Sequence, residues 1–351
     1  MTEVVPLDYR KLSYKPLFLD YLERYAALSR FFAGDPFDPA AWKKVAAEVD
    51  RADHPRAEVA RTLLDLNRQL GADEAALASL SALESGALAV VTGQQVGILG
   101  GPLYTLYKAF SAIRLARAAS QSLARPVVPL FWMDADDHDF EEVRTSHLLN
   151  GSGELVSLRY DDSGEPGRVP VGARRLGPGI GEVLAAAAEA LPATEFKQDL
   201  LEMLEAYAPG RSFAEAFGTF LLRLTKGSGL AVVNPSLPSL KRLAVDLFRE
   251  AISQGAEAEE RVRETTRELV AAGYHAQVTP VDSQLFLSYA NPERYPIGVE
   301  REGFRIGSDG RPLSREELEA LVMAEPQSFS PNVLLRPLYQ DRLLPTIAYV
   351  P

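Results

Sequence analysis

Three stretches of the chain combine residue types and spacings that can do chemistry. The first is VVTGQQVGILGGPLYTLYKAF, Val90 to Phe110. Glycines at 93, 97, 100 and 101 permit positive φ and close approach of a ligand, and Pro102 suits the first turn of a helix. Backbone N–H groups at that helix start are expected to face outward unpaired, where about half a positive charge favours a phosphate or carboxylate. Gln94 and Gln95 add amides that both donate and accept. Tyr104 and Lys108 follow on the helix, and Lys108, about two turns in, can reach forward to a phosphate or simply cover a surface. The spacing matches neither GxxxxGK[ST] nor GxGxxG. The plain alternative is that the glycines only let the helix pack on the preceding strand. Binding is the expectation, because α/β sheets place ligands at the carboxyl ends of their strands.

The second stretch, DADDHDFEEV at 134–143, directly follows the apolar run VVPLFWM and holds six acids within nine residues. Like charges about 4 Å apart repel by roughly 4 kcal/mol at an effective dielectric near 20, so some must face water while others meet Mg²⁺, an ammonium or a basic side chain. Asp137 and Asp139 are the candidate Mg²⁺ ligands. His138 between them is expected to have a pKa raised above the reference of about 6.5, which suits proton transfer or phosphate contact. A solvated loop with a capping aspartate is the structural alternative.

The third stretch is SPNVLLRPLYQDRLLPT, 330–346. Asn332 and Arg336 are candidates there, Arg336 as a bidentate clamp on carboxylate or phosphate or, equally, as a bridge to Asp341. Asn234, after the strand GLAVV, is a further candidate, with a turn role as the simpler reading. The other histidines, 54, 147 and 275, lack metal-ligand spacing, and no GxSxG elbow appears.

The elements that must position these residues read as follows. Residues 1–85 form a helical N-terminal layer, with apolar spacings of three and four from Pro6 onward. Residues 86–150 form the first half of a parallel-sheet core: a strand at 88–92, the glycine loop, a helix over about 103–119 and a strand at 127–133, which is a βαβ unit. Residues 151–226 read as an inserted subdomain with a hairpin and then helices around 182–190, 197–206 and 212–226. Residues 227–351 form the second half of the core with a further insertion, including a strand at 229–235, an amphipathic helix after it and a charged helix through AEERVRETTRELVAAGY. The apolar close LLPTIAYVP reads as an interior strand.

Composition narrows the function classes. Of 351 residues, 46% are hydrophobic and 24% charged, as in a globular protein with a sizeable core. The absence of cysteine excludes disulfides, thiolate metal sites and a cysteine nucleophile, so any thiol must belong to a substrate. A net charge of -11 argues against broad nucleic-acid binding, and pairs such as Arg174-Arg175 and Lys241-Arg242 are expected to be solvated faces. No membrane span or leader is read, so a cytoplasmic protein is expected.

The blocks TGQQVGILGGPLYTLYK, VVPLFWMDADDHDFEEV and SPNVLLRPLYQDRLLPTIAYV, in this order, resemble the BshC family of bacillithiol biosynthesis, the cysteine ligases. Weaker echoes lie in GLAVVNPSLPSLKRL and AGYHAQVTPVDSQLF, so the resemblance covers most of the chain. It implies an α/β fold with a Rossmann-like core, connecting insertions and a coiled coil, the last expected to be incomplete or absent because family members continue past the equivalent of AYVP. It implies ligation of the carboxyl group of L-cysteine to the amine of glucosaminyl-malate. Gly93, Gln94 and Gln95 match the family's glycine-glutamine motif, Asp137, His138 and Asp139 its acidic-histidine motif, and Asn332 and Arg336 its later block; Asp136 stands where the family has glutamate.

Amide formation in water needs an activated acyl group, so ATP with Mg²⁺ is the expected cosubstrate, and an adenylate or acyl phosphate the expected intermediate. The partners are small molecules rather than nucleic acid or membrane, with a homodimer as the assembly expectation. Two other readings stand beside this one: a metal-dependent phosphoesterase or sugar-phosphate hydrolase, and a non-catalytic nucleotide or sugar-acid binding module.

Overall fold

The runs LAVV at 88–91 and VVPLFWM at 127–133 are apolar at every position, the pattern of strands buried on both faces. In the computed structural model, which describes residues 8–161, 167–307 and 310–351, they become β1 (Leu88–Gln95) and β2 (Val127–Asp134), paired in parallel from Leu88–Val127 to Gln95–Asp134. The expected boundary at Thr92 moves outward. Gly93, Gln94 and Gln95 are strand residues, not loop, because β2 continues beside them as far as Asp134.

The chain forms two units. The first comprises residues 1–52 and 254–282 and is helical where described. Its helices include Pro16–Glu23, Pro39–Val49 and Gly255–Ala271. Tyr274 donates to Asp20 at 2.7 Å, and the long helix carries Glu–Arg pairs four residues apart, such as Glu257–Arg261 and Glu259–Arg263 at 2.6 Å. A single helical layer over 1–85 was the expectation; here residues 1–52 group with 254–282, while helices Arg56–Gln69 and Glu74–Glu84 belong to the second unit.

The second unit, residues 53–253 and 283–351, holds the sheets. A hairpin of β3 (Thr145–Leu149) and β4 (Leu155–Arg159) follows the acidic run. β5 (Ala231–Val233) joins the edge of β2 in parallel. An antiparallel sheet, ordered β10-β6-β7-β8-β9, is made of β6 (Gln284–Ala290), β7 (Arg294–Glu300), β8 (Gly303–Ile306), β9 (Pro312–Leu313) and β10 (Phe329–Pro331). The apolar close of the chain, β11 (Thr346–Val350), returns to pair in parallel with β1, giving the core order β11-β1-β2-β5.

This order fixes where a ligand can sit. From β1 the chain runs through helix Tyr104–Leu123 to β2 on one side, while β11 arrives on the other. The strand order therefore reverses at β1, and the crevice outside its carboxyl end is a topological switch point. At the far edge, Asn67 substitutes for a missing strand. Its amide donates to Val232 C=O at 2.8 Å and accepts from Val232 N–H at 2.9 Å, so a buried edge strand is left with no orphan groups there.

Candidate active site

Successive strand residues point to opposite faces, and the twin glutamines use this to reach two different elements. Gln94 turns toward helix Tyr104–Leu123: its amide donates to Tyr104 Oη at 3.3 Å and accepts from Lys108 Nζ at 3.1 Å. Gln95 turns toward the acidic run and donates to Asp137 Oδ2 and Glu142 Oε2, both at 2.6 Å. Thus the end of β1 ties the helix to the loop that follows β2.

A cavity of about 210 Å³ opens between them. It is lined by Gly93, Gln94 and Gln95 from β1, Trp132 and Asp134 from β2, Lys108, Arg336 and Tyr349. Arg336 begins helix Arg336–Leu343, lies 5.2 Å from the centre of the Tyr349 ring and reaches Gln340 Oε1 at 3.4 Å. Among the described residues no carboxylate lies within ion-pair distance of Arg336, so the alternative of a bridge to Asp341 is not what forms. Burial and the neighbouring Arg336 hold the Lys108 ammonium below its ordinary value. Facing these cations is Asp134, whose carboxyl is pushed from 3.8 to about 6, by burial first and then by Asp137 and Asp136, against Arg336 and Arg294. The cavity therefore offers two cations and one proton-accepting carboxyl to a molecule of amino-acid size.

The remaining expected residues fall elsewhere. Gly97, Gly100 and Gly101 do not line the cavity, and their N–H groups are not free for an anion. Gly97 N–H donates to Gln95 C=O at 3.0 Å and Gly101 N–H to Ile98 C=O at 2.9 Å. The buried Tyr207 hydroxyl accepts from Gly100 N–H at 2.8 Å and donates to Gly97 C=O at 2.9 Å. Gly100 has φ +87°, and a Cβ there would stand 2.5 Å from the Phe220 ring. These glycines serve tight packing, the plainer of the two expectations. Asn332 and Asn234 accept from backbone N–H groups two or three residues ahead, Leu334 and Leu335 in one case and Ser236 in the other, so both shape turns.

In the acidic run, Asp137 Oδ1 accepts from the N–H groups of His138 at 2.7 Å and Asp139 at 3.3 Å. Asp139 caps the short helix Phe140–Val143 by accepting from Glu142 N–H at 3.4 Å. Among the described residues no three His, Cys, Asp or Glu side chains gather to hold a metal ion, so Asp137 and Asp139 do not fit the Mg²⁺ site expected of them. The expected rise in the His138 pKa is reversed as well. Burial, then Arg168 and Arg294, lower it from 6.5, and these outweigh Asp137 and Asp139.

Asp136 pairs with Lys241 and accepts from Ser236 Oγ at 2.8 Å. Lys241 is fully buried and Arg174 nearly so, which corrects the expectation that their basic pairs are solvated faces. Each lies over an aromatic ring, Lys241 5.4 Å from Tyr339 and Arg174 4.6 Å from Phe140. Among the described residues no helix is long and apolar enough to cross a membrane.

Comparison with known proteins identifies a family for the chain. Over 341 residues the chain is 38% identical to a Salinibacter ruber protein named "Putative cysteine ligase BshC", covering 96% of the chain and 62% of that relative. Proteins of the same name from Koribacter versatilis and Desulforamulus reducens are 37% and 33% identical over 95% and 94% of the chain, again covering 62% of each. The chain thus spans less than two thirds of the length of these curated relatives. Residues 2–351 match the family described as bacillithiol biosynthesis BshC, N-terminal Rossmann-like domain, and the parallel sheet with its flanking helices is an α/β core of that kind: the chain belongs to the BshC family.

Proposed function

We propose that this chain carries the substrate-binding core of a cysteine ligase, which joins the carboxyl group of L-cysteine to the amine of glucosaminyl-malate. The observation that carries the reading is the cavity in which Lys108 and Arg336 face Asp134. Two cations opposite a carboxylate match an amino-acid zwitterion, and about 210 Å³ is below the roughly 300–1,000 Å³ of pockets for larger ligands. In this reading the cysteine carboxylate lies between Lys108 and Arg336, and its ammonium meets Asp134. Gln94 holds Lys108 at the clamp, while Gln95 fixes Asp137 and so the loop bearing His138.

A nucleoside triphosphate, when bound, supplies the activation that a carboxylate needs before it can acylate an amine. The chain's own residues then perform the rest. Lys108 and Arg336 hold negative charge that builds on the carboxyl group in a place already organised for it. His138, kept neutral at pH 7 by burial and two arginines, accepts the proton that the attacking amine must lose. Any Mg²⁺ in this account arrives with the nucleotide. The phosphoesterase reading is less supported, because the carboxylates at 137 and 139 are occupied with their own loop.

Calorimetric titration with L-cysteine tests the assignment. Arg336→Gln is expected to weaken binding by roughly 10- to 100-fold, the effect of losing a charge-assisted contact. Binding of equal strength in wild type and variant would refute the clamp.

A further inference from the structure

Arg294 opens β7 and is half-buried. Its Nε donates to Ser330 Oγ at 2.8 Å and one terminal nitrogen to Pro331 C=O at 3.2 Å. The other terminal nitrogen lies 3.5 Å from His138 Nδ1. Arg168 completes the group: its Nε donates to Arg294 C=O at 2.8 Å, and its guanidinium lies 5.4 Å from the Tyr295 ring centre. Both arginines are partly buried, yet among the described residues neither has a carboxylate within ion-pair distance. Partly buried guanidinium groups held in place by neutral acceptors keep donors and charge available, and Arg is the side chain best matched to a phosphate oxyanion.

None of the three residues lines the cavity between Lys108 and Arg336. The two positive regions are nevertheless neighbours, since Arg336 and Arg294 both act on Asp134. We propose that Arg294, Arg168 and His138 form a second anion site, for a phosphate group, distinct from the carboxylate clamp of Lys108 and Arg336. Its natural occupant, the phosphate chain of an activating nucleotide, rests on the ligase reading; the site itself does not.

The site has its own reporter. His138 faces Arg168, Arg294, Asp137 and Asp139, and with the site empty burial and the arginines dominate, lowering its pKa. An oxyanion seated among these groups offsets the two arginines and raises the His138 pKa from its lowered value. By reciprocity, protonation of His138 must tighten anion binding by the factor that the anion shifts His138.

The test is a pH titration of the imidazole resonances of the whole chain by NMR, with and without inorganic pyrophosphate and without divalent metal; His138→Gln identifies the signal. His138 is expected to titrate below 6.5 alone and to move up by about one unit with pyrophosphate, equivalent to roughly tenfold tighter binding to the protonated form. Arg168→Gln and Arg294→Gln are each expected to abolish that movement and to weaken pyrophosphate binding roughly 10- to 100-fold. A His138 signal that ignores saturating pyrophosphate, or that moves equally in the Arg168→Gln variant, overturns the site. Should Arg294→Gln unfold through loss of its contacts to Ser330 and Pro331, Arg168→Gln carries the test. An intact His138 response without amide formation would sink the ligase reading alone, and amide formation without the response would sink the phosphate site alone.

Discussion

Asp134 separates stability from function at the level of a single residue. Its pKa is raised in the fold from 3.8 to about 6, so its charge opposes folding above pH 6, and the penalty fades as the pH falls and is gone below the ordinary value. Discounted for the cavity's access to water, the penalty at pH 7 is about 1–2 kcal/mol. Asp134→Asn is therefore expected to raise the melting temperature at pH 7 and to leave it unchanged near pH 3, while weakening cysteine binding at neutral pH; melting curves at the two pH values check this. Lys241 shows the opposite case. Removing it by Lys241→Met strands Asp136 without its buried partner and is expected to cost about 3 kcal/mol in chemical denaturation. Gln94, Gln95, Lys108 and Arg336 were legible in the sequence because motif and strand end announce them. Asp134 does not stand out among its acidic neighbours in the sequence, although its place as the final residue of an apolar strand sets it apart from the loop acids. The direction of the His138 shift was illegible, since Arg168 and Arg294 lie 30 and more residues away in the chain.

At the level of elements, the βαβ unit and its carboxyl-end crevice followed from periodicity, and the structure brings Gln95 and Asp137 together there. The partner on the other side of β1 did not follow. Nothing local in LLPTIAYVP says which strand it joins, so Tyr349 could not be placed in the cavity. Similarly, of the outward-facing N–H groups expected of the glycine loop, that of Gly100 is taken up by Tyr207, more than a hundred residues away, and those of Gly97 and Gly101 by the loop's own carbonyls. The edge of β5 offers the sharpest stability test at this scale. Asn67→Leu leaves two buried backbone groups of Val232 unpaired and is expected to destabilise by about 2–4 kcal/mol in equilibrium denaturation, without altering the cavity.

For the whole molecule, the second unit assembles a parallel sheet whose switch point gathers residues from positions 93, 134 and 336 into a single cavity, in a chain that belongs to the BshC family. The role proposed for this cavity is to bind cysteine for amide formation. The most direct measurement is mass-spectrometric detection of product from L-cysteine, glucosaminyl-malate and MgATP, using this chain and a version extended to the length of its relatives, each with and without Arg336→Gln. The expected product equals in mass the two substrates less one water, and the substitution is expected to slow its formation roughly 100-fold or more. Amide formed at an undiminished rate by the variant, or no amide from either folded form, would contradict the proposed role.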